Sequence, residues 1–300
     1  MSGPDVTIII PSIGDDQRAR TIWRAIESAG PRSGASTRII VVVNGKRFAE
    51  AVVERLRATP GIECVQVEAA GAPLAVRHGR SLVTSEFFAI LDDDDEFLED
   101  GLRMRLDVLR EDPAAAFVVS NGWRAGPAGD EPAVALTAQA IEADPFHTLL
   151  TQNWMASASG LYRTNAVSVE DFAAMPAYME WTYVGFRLAS RRFRFLDRPT
   201  YRLHDLPGSV SKSQAYRAGV IPALHSILSL NLPPSARDRL RRRLGATHHT
   251  LSSQFLEGRR LSEAWKHHWL SLAYPGGWHY ALYTRKLLFP PAREDPGPSA

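Results

Sequence analysis

The chain has 300 residues, 45% hydrophobic and 23% charged, enough to bury the core of one large domain or of one domain with an appendage. A single cysteine, Cys64, excludes an intramolecular disulfide framework and a cysteine-rich metal site. No apolar run reaches the roughly 20 residues that cross a bilayer, and the N-terminus carries no signal-peptide pattern, so a cytoplasmic protein is expected. The net charge of +2 hides an asymmetry: residues 1–200 carry 21 Lys and Arg against 27 Asp and Glu, net −6, and residues 201–300 carry 14 against 6, net +8. A basic C-terminal third points to an anionic ligand, partner or membrane surface, against the plainer reading of solvated helix faces.

Short, continuous apolar runs at Val6–Pro11, Arg38–Asn44, Ile62–Val67, Phe87–Leu91 and Ala115–Ser120 predict strands buried on both faces, as in a parallel sheet. Between them, Asp16–Ala29 repeats apolar residues at Ala19, Ile22, Ile26 and Ala29, one face of a helix; Leu102, Leu106 and Leu109 repeat in the same way. Strand–helix alternation implies an α/β domain with right-handed crossovers, in which ligands bind beyond the carboxyl ends of the strands. Three polar stretches fall at that edge: PSIGDD after the first strand, NGK after the second, and Asp92–Asp95 after the fourth. Residues 121–144, rich in Gly, Pro and Ala, predict a long irregular insertion. From Gln214 the pattern is helical, with breaks at Pro222, Pro233–Pro234 and Pro275. The Trp-, Tyr-, His- and Lys-bearing segment from Ser262 to Pro291 fits either a membrane surface or, the preferred reading, packing on its own domain.

Asp92, Asp93, Asp94, Asp95 and Glu96 form five consecutive carboxylates at the end of an apolar strand. Alternation along an extended chain puts Asp92 and Asp94 on one side and turns Asp93 away. Hard cations such as Mg²⁺ and Mn²⁺ prefer oxygen ligands and keep substrate phosphates in their shell, so few protein carboxylates suffice. An acidic helix cap explains Glu96, Glu99 and Asp100 but not four acids directly at a buried strand's end.

The order TIIIPSIG, RIIVVVNG, GAPLAVRHGRSLVTSEFFAILDDDDEFLEDGL, YMEWTYVGFRLASRRFRF and YRLHDLPGSVSKS resembles the inverting family 2 glycosyltransferases of the GT-A fold, from about Val6 to Ser213. The resemblance implies a mostly parallel sheet flanked by helices: a domain over 1–213, with a nucleotide-binding half (1–120) and an acceptor and catalytic half (121–213), then a helical extension (214–290) and a disordered tail (291–300). It implies a metal-dependent transfer, with Mn²⁺ or Mg²⁺, from a nucleotide-sugar, a UDP-sugar by expectation, to a hydroxyl of a natural-product intermediate, carrier-bound precursor or cell-envelope glycan. By position, Pro11 and Ser12 border the base and ribose, and Asn44 stands where the family has a base-contacting Asp. Arg77, Asp92, Asp93, Arg202, Ser209, Ser211 and Lys212 fall at nucleotide or diphosphate positions, and Asp94 and His204 at metal positions. Glu180 occupies the place of the general base, with Trp181 replacing the family's second acid; Glu170 and Asp171 are fallbacks. Asp95, Asn153, Trp154 and Trp181 fall on the acceptor side.

Two other classes compete. A phosphohydrolase or nucleotidyltransferase also places Asp-x-Asp after a strand, yet the phosphohydrolase form needs Thr or Val where Glu96 stands. A non-catalytic nucleotide-sugar-binding module would account for Asn44 and Trp181. His248–His249 and His267–His268 lack metal spacing on one helical face and read as solvated surface. The run Arg237–Leu244 reads as a helix face, with no nucleic-acid motif.

Overall fold

A computed structural model describes residues 4–126, 129–204 and 214–289, without the side chains of Gln214, Ala215 and Arg217. The tail expected over 291–300 lies outside the described residues. In chain order the elements are β1 (Val6–Ser12), α1 (Ala19–Ala29), β2 (Thr37–Asn44), α2 (Glu50–Ala58), β3 (Ile62–Val67), α3 (Ala72–Ser81), β4 (Phe87–Ile90), β5 (Glu96–Phe97) and α4 (Gly101–Glu111). There follow β6 (Phe117–Gly126), β7 (Gly129–Pro132), α5 (Ala138–Ala143), α6 (Pro145–Thr151), β8 (Gly160–Arg163), α7 (Glu180–Leu188), β9 (Phe193–His204), α8 (Gln214–Leu228), α9 (Pro234–Glu257), α10 (Leu261–Ala273) and α11 (Thr284–Leu288).

One sheet runs β3-β2-β1-β4-β8-β6-β9-β5, with β7 hydrogen-bonded to β6. β1 lies between β2 and β4, parallel to both, with Val6 opposite Thr37 and Phe87. Every residue of β1 and β4 is buried, which is why these strands read as unbroken apolar text. Strand β8 is antiparallel to both neighbours, β4 and β6, while β6 and β9 are again parallel. Helix α1 turns Ile22, Ala25, Ile26 and Ala29 into a core shared with Ile8, Ile10, Val41, Val43 and Leu106. Helix α3 approaches β1 so closely that a Cβ on Gly79 would sit 2.4 Å from Ile9 Cγ2, and a Cβ on Gly101 at the start of α4 would sit 2.4 Å from the Thr200 carbonyl of β9. Both glycines are required by space.

The irregular insertion expected over 121–144 is instead a hairpin followed by α5. β6 continues to Gly126 and returns as β7, pairing Trp123 with Pro132 and Gly126 with Gly129. β7 is wholly exposed, held by main-chain hydrogen bonds to β6 and by the Asp130–Arg202 ion pair, and no apolar alternation marks it. The Asn121 amide donates to the Val134 carbonyl and accepts from its N–H, at 2.9 and 3.1 Å, fastening the return.

The chain forms two compact units, Met1–Leu230 and Asn231–Ala300. Helix α8, assigned from sequence to the C-terminal extension, therefore folds with the first unit; a Cβ on its Gly219 would lie 2.0 Å from Tyr178 Cδ2. In the second unit α9 and α10 pack together, followed by a 3₁₀ segment, Gly277–Tyr283, and α11. The histidine pairs are not solvated surface: His248 and His268 are buried. His248 Nδ1 lies 2.9 Å from His267 Nδ1, and His268 Nε2 lies 2.8 Å from the Thr284 hydroxyl. A neutral imidazole presents one donor and one acceptor, which lets such rings pack inside a helical pair. No helix among the described residues is long and apolar enough to cross a membrane.

Candidate active site

The carboxyl ends of β1 and β4 lie side by side, and the acids after β4 close a turn there. The Asp95 N–H donates to the Asp92 carbonyl at 3.1 Å. That turn overrides the extended-chain alternation predicted from sequence. Asp93 does not point away: its carboxylate accepts from Ser12 Oγ at 2.5 Å and from Arg18 Nη1 at 3.1 Å. The same Arg18 nitrogen reaches Asp94 Oδ2 at 2.5 Å, and Arg24 donates to the Asp94 carbonyl. Asp95 turns toward β9, where Oδ1 accepts the His204 N–H at 2.9 Å. Asp92 takes a hydrogen bond from Ser157, in the 3₁₀ turn Ser157–Ser159. Fully buried Arg105 pins that turn by donating to the carbonyl of Ala158 at 2.8 Å.

These carboxylates are crowded and poorly hydrated. Burial, reinforced by the charge of Asp94, pushes Asp92 up to about 7. Burial likewise lifts Asp93 to about 6, against the opposing pull of Arg18 and Ser12. Asp95 is raised well above the carboxylate range by burial and by Asp92 and Asp94. For Arg18, burial works against its charge, but Asp93 and Asp94 outweigh it and raise its pKa. Arg18, shared by Asp93 and Asp94, and Arg24, acting on Asp95, leave the cluster short of positive charge.

Glu180 opens α7. Met179 before it is held at φ 60°, ψ 30°, a left-handed conformation unfavourable for a side chain of this kind, and the Glu180 carboxylate accepts its own backbone N–H. Burial is the main cause that pushes Glu180 up to about 7; its own backbone N–H opposes that, and the Asp92 charge adds to it. Two acids from distant parts of the chain, Asp92 and Glu180, thus share one electrostatic environment. Trp181, next to Glu180 in sequence, is half-buried. The fallback Asp171 is a structural residue: it is 1% exposed and bound by Arg187 at 3.3 Å and Arg191 at 2.5 Å, while Glu170 is exposed.

The other predicted residues divide. Buried Pro11 and Ser12 end β1 beside Asp93. Asn44, buried at the end of β2, bridges the Ser12 carbonyl and the Gly71 N–H, each at 2.8 Å, so its amide already knits two loops together. Arg77 is exposed on α3. Arg202 is ion-paired to Asp130 at 2.6 Å and Glu96 at 3.2 Å, and the His204 ring nitrogen Nε2 lies 3.1 Å from that same Glu96. His204 thus faces Glu96 with its ring and Asp95 with its backbone. Trp154 is not an acceptor-side residue: it is 1% exposed, bonded to Thr148 at 3.1 Å and stacked on Phe193 at 5.3 Å. Asn153 is exposed, its amide turned to the Met155 backbone. Ser209, Ser211 and Lys212 lie outside the described residues. The sequence reading missed Arg18, Arg24, Ser157 and Arg105; only GDDQRAR, placing Arg18 just beyond β1, carried a trace of the first.

Whether a divalent cation suits the site turns on donors and charge. Among the described residues no group of three or more His, Cys, Asp or Glu side chains is arranged to hold a metal. Asp92 and Asp94 nonetheless supply an all-oxygen donor set whose mutual repulsion is not cancelled by Arg18, and a hard cation that keeps phosphate oxygens in its shell needs few protein ligands. The residues fit.

The family model described as glycosyl transferase family 2 matches residues 7–172, more than half of the chain. Among solved structures, S. aureus TarS 1-349 in complex with UDP-GlcNAc superposes with a TM-score of 0.61 at 14% identity, over 90% of this chain and 82% of that one. S. aureus TarS 1-349 in complex with UDP gives 0.53 at 16% identity, over 84% and 74%. A longer chain of S. aureus TarS gives 0.56 at 16%, over 84% and 45%. At such identities the likeness is one of fold. A search of curated proteins found no match.

Proposed function

Since the chain belongs to glycosyl transferase family 2, we propose that it transfers a sugar from a nucleotide-sugar, with UDP as the carrier, to an acceptor hydroxyl with inversion. The observation that carries this reading is that buried Glu180, pushed up to about 7, feels the charge of Asp92, itself pushed up to about 7 by burial and Asp94, at the carboxyl end of β4. A carboxylate near neutrality is suited to taking a proton at working pH. Glu180 accepts the acceptor's hydroxyl proton, the freed oxygen bonds to the anomeric carbon, and the bond from that carbon to the diphosphate oxygen breaks on the opposite face. The nucleoside diphosphate leaves with the electron pair.

Asp92 and Asp94 would hold Mn²⁺ or Mg²⁺, which when bound neutralises negative charge on the diphosphate as a Lewis acid. Arg18 restrains Asp93 and Asp94, and Ser157 restrains Asp92, so the acids are oriented before donor arrives. Ser12 and Pro11, beside Asp93, form the floor for the nucleoside. The TarS complexes with UDP-GlcNAc and UDP support a UDP carrier for a chain of this fold. The acceptor is a small molecule, a carrier-bound precursor or a glycan bearing a free hydroxyl.

The test is Glu180→Gln assayed with UDP-sugars and Mn²⁺. Transfer is lost while the donor still raises the melting temperature. Near-normal turnover in that variant removes Glu180 from the role, and donor binding without turnover in the native protein favours a binding module instead.

A further inference from the structure

The last described segment of the second unit exposes several large apolar side chains. From Gly277 to Phe289 the chain runs as a 3₁₀ segment and then α11, and it contains no Asp or Glu. Its inner face is polar and aromatic: Tyr280 stacks on His249 at 4.1 Å, Tyr283 meets His249 at 4.8 Å, and Thr284 bonds His268. Its outer face carries Trp278, Leu282 and Phe289, which are 72%, 89% and 74% exposed, beside exposed Arg285 and Lys286. Arg285 on α11 and Phe289 at its C-terminal cap are four residues apart and share one side. Leu288 and, on α10, Trp269 add exposures of 59% and 60%. Within the second unit Trp278 stacks on His279 and Trp269 on Trp265, and both remain mostly exposed.

Isolated exposed apolar residues are ordinary, but this many large ones in 13 residues, interleaved with cations, mark an interaction surface. The partner's charge follows from the unit's own. Residues 231–289 hold 10 Arg and Lys against 3 Asp and Glu, and one of those acids, Glu263, is tied up by Arg260 at 2.7 Å. A second copy docking through this face would bring Arg285 and Lys286 against their own equivalents. An anionic bilayer instead offers acyl chains to Trp278, Leu282 and Phe289 and phosphates to the cations, the arrangement of an interfacial, non-spanning segment.

We propose that the Gly277–Phe289 face, with Trp269, seats this unit on an anionic membrane surface. The role is independent of sugar transfer and would bring the chain to acceptors at that surface.

The test is flotation of the full chain with vesicles of phosphatidylcholine alone or with phosphatidylglycerol at two to one. The chain floats with the anionic vesicles and not with the neutral ones. The variant Trp278→Ser/Leu282→Ser/Phe289→Ser lowers binding tenfold or more with unchanged circular dichroism, since these side chains are largely exposed and Trp278 stacks on its exposed neighbour His279. Arg285→Glu/Lys286→Glu lowers it by about fivefold or more per charge, an effect that fades as salt rises. Failure of the full chain to float, or flotation indifferent to both variants, overturns the proposal. So does a dimer in sedimentation equilibrium that the triple variant dissolves, because a second copy would then be the occupant.

Discussion

Two sets of buried acids in the first unit meet opposite fates. Asp171 is enclosed by Arg187, Arg191 and Ser168. Asp112 is gripped by Arg192 at 2.8 Å, a hydrogen bond that holds its carboxyl below the usual range. Each of these acids has at least one cation to itself: Asp171, ahead of α7, and Asp112, ahead of β6, are fastened to arginines at the end of α7 or just before β9. After β4, Asp93 and Asp94 share Arg18, and Asp92, Asp93 and Asp95 are pushed upward instead. An acid with its own cation is a fastening; a group of acids short of cations is prepared for a charge that the protein does not supply.

The sharpest way to separate the two sets is substitution. Glu180→Gln is expected to lower kcat by roughly 10²- to 10⁴-fold, the range for a general base, with donor affinity retained. A loss confined to KM would move the base elsewhere. Asp171→Asn leaves two arginines facing a neutral amide and is expected to cost about 3 kcal/mol in chemical denaturation while the donor still binds. If it abolished transfer in a fully folded enzyme, the division into fastening and functional acids would fail.

Weaker effects sharpen the same contrast through pH. If Glu180 is the base, kcat/KM rises as pH passes through about 7 and levels off above it, because the carboxyl must lose its proton to act. The stability effect runs the other way. Asp92, Asp93 and Glu180 have folded pKa values raised to about 7, 6 and 7, so the folded state keeps protons that the unfolded chain has released. Their contribution to stability is full below the ordinary carboxylate range and is lost as pH rises toward 7. Asp92→Asn removes one such group, so it should raise the melting temperature relative to the native chain more at pH 8 than at pH 5. An equal effect at both would mean that Asp92 carries no such burden.

Much of this was legible because the relevant signals are local. The apolar runs of β1 to β4 mark strands buried on both faces, and the polar text following them marks the ligand edge. β7 and the outer part of β6 were illegible because a solvent-exposed hairpin asks for no apolar alternation, and its Asp130–Arg202 pair spans 72 residues. β9 was hidden for a related reason: Pro199 sits opposite Asn121 where the register slips, and charged residues break any alternation. Arg18 reaches acids 75 and 76 residues away, a pairing that no spacing announces. The histidine pairs were misread because adjacent residues on α9 need not share an environment: His248 turns into the interface with α10.

The central claim is that the acids after β4 await a cation and a diphosphate together. A thermal-shift titration of the native chain and Asp94→Asn with UDP, a UDP-sugar and Mn²⁺, separately and combined, tests it most directly. UDP or the UDP-sugar with Mn²⁺ should raise the native melting temperature well beyond the sum of the single additions, by preferential binding to the folded state, and Asp94→Asn should lose that excess. Equal shifts in both proteins, or none in either, would contradict it.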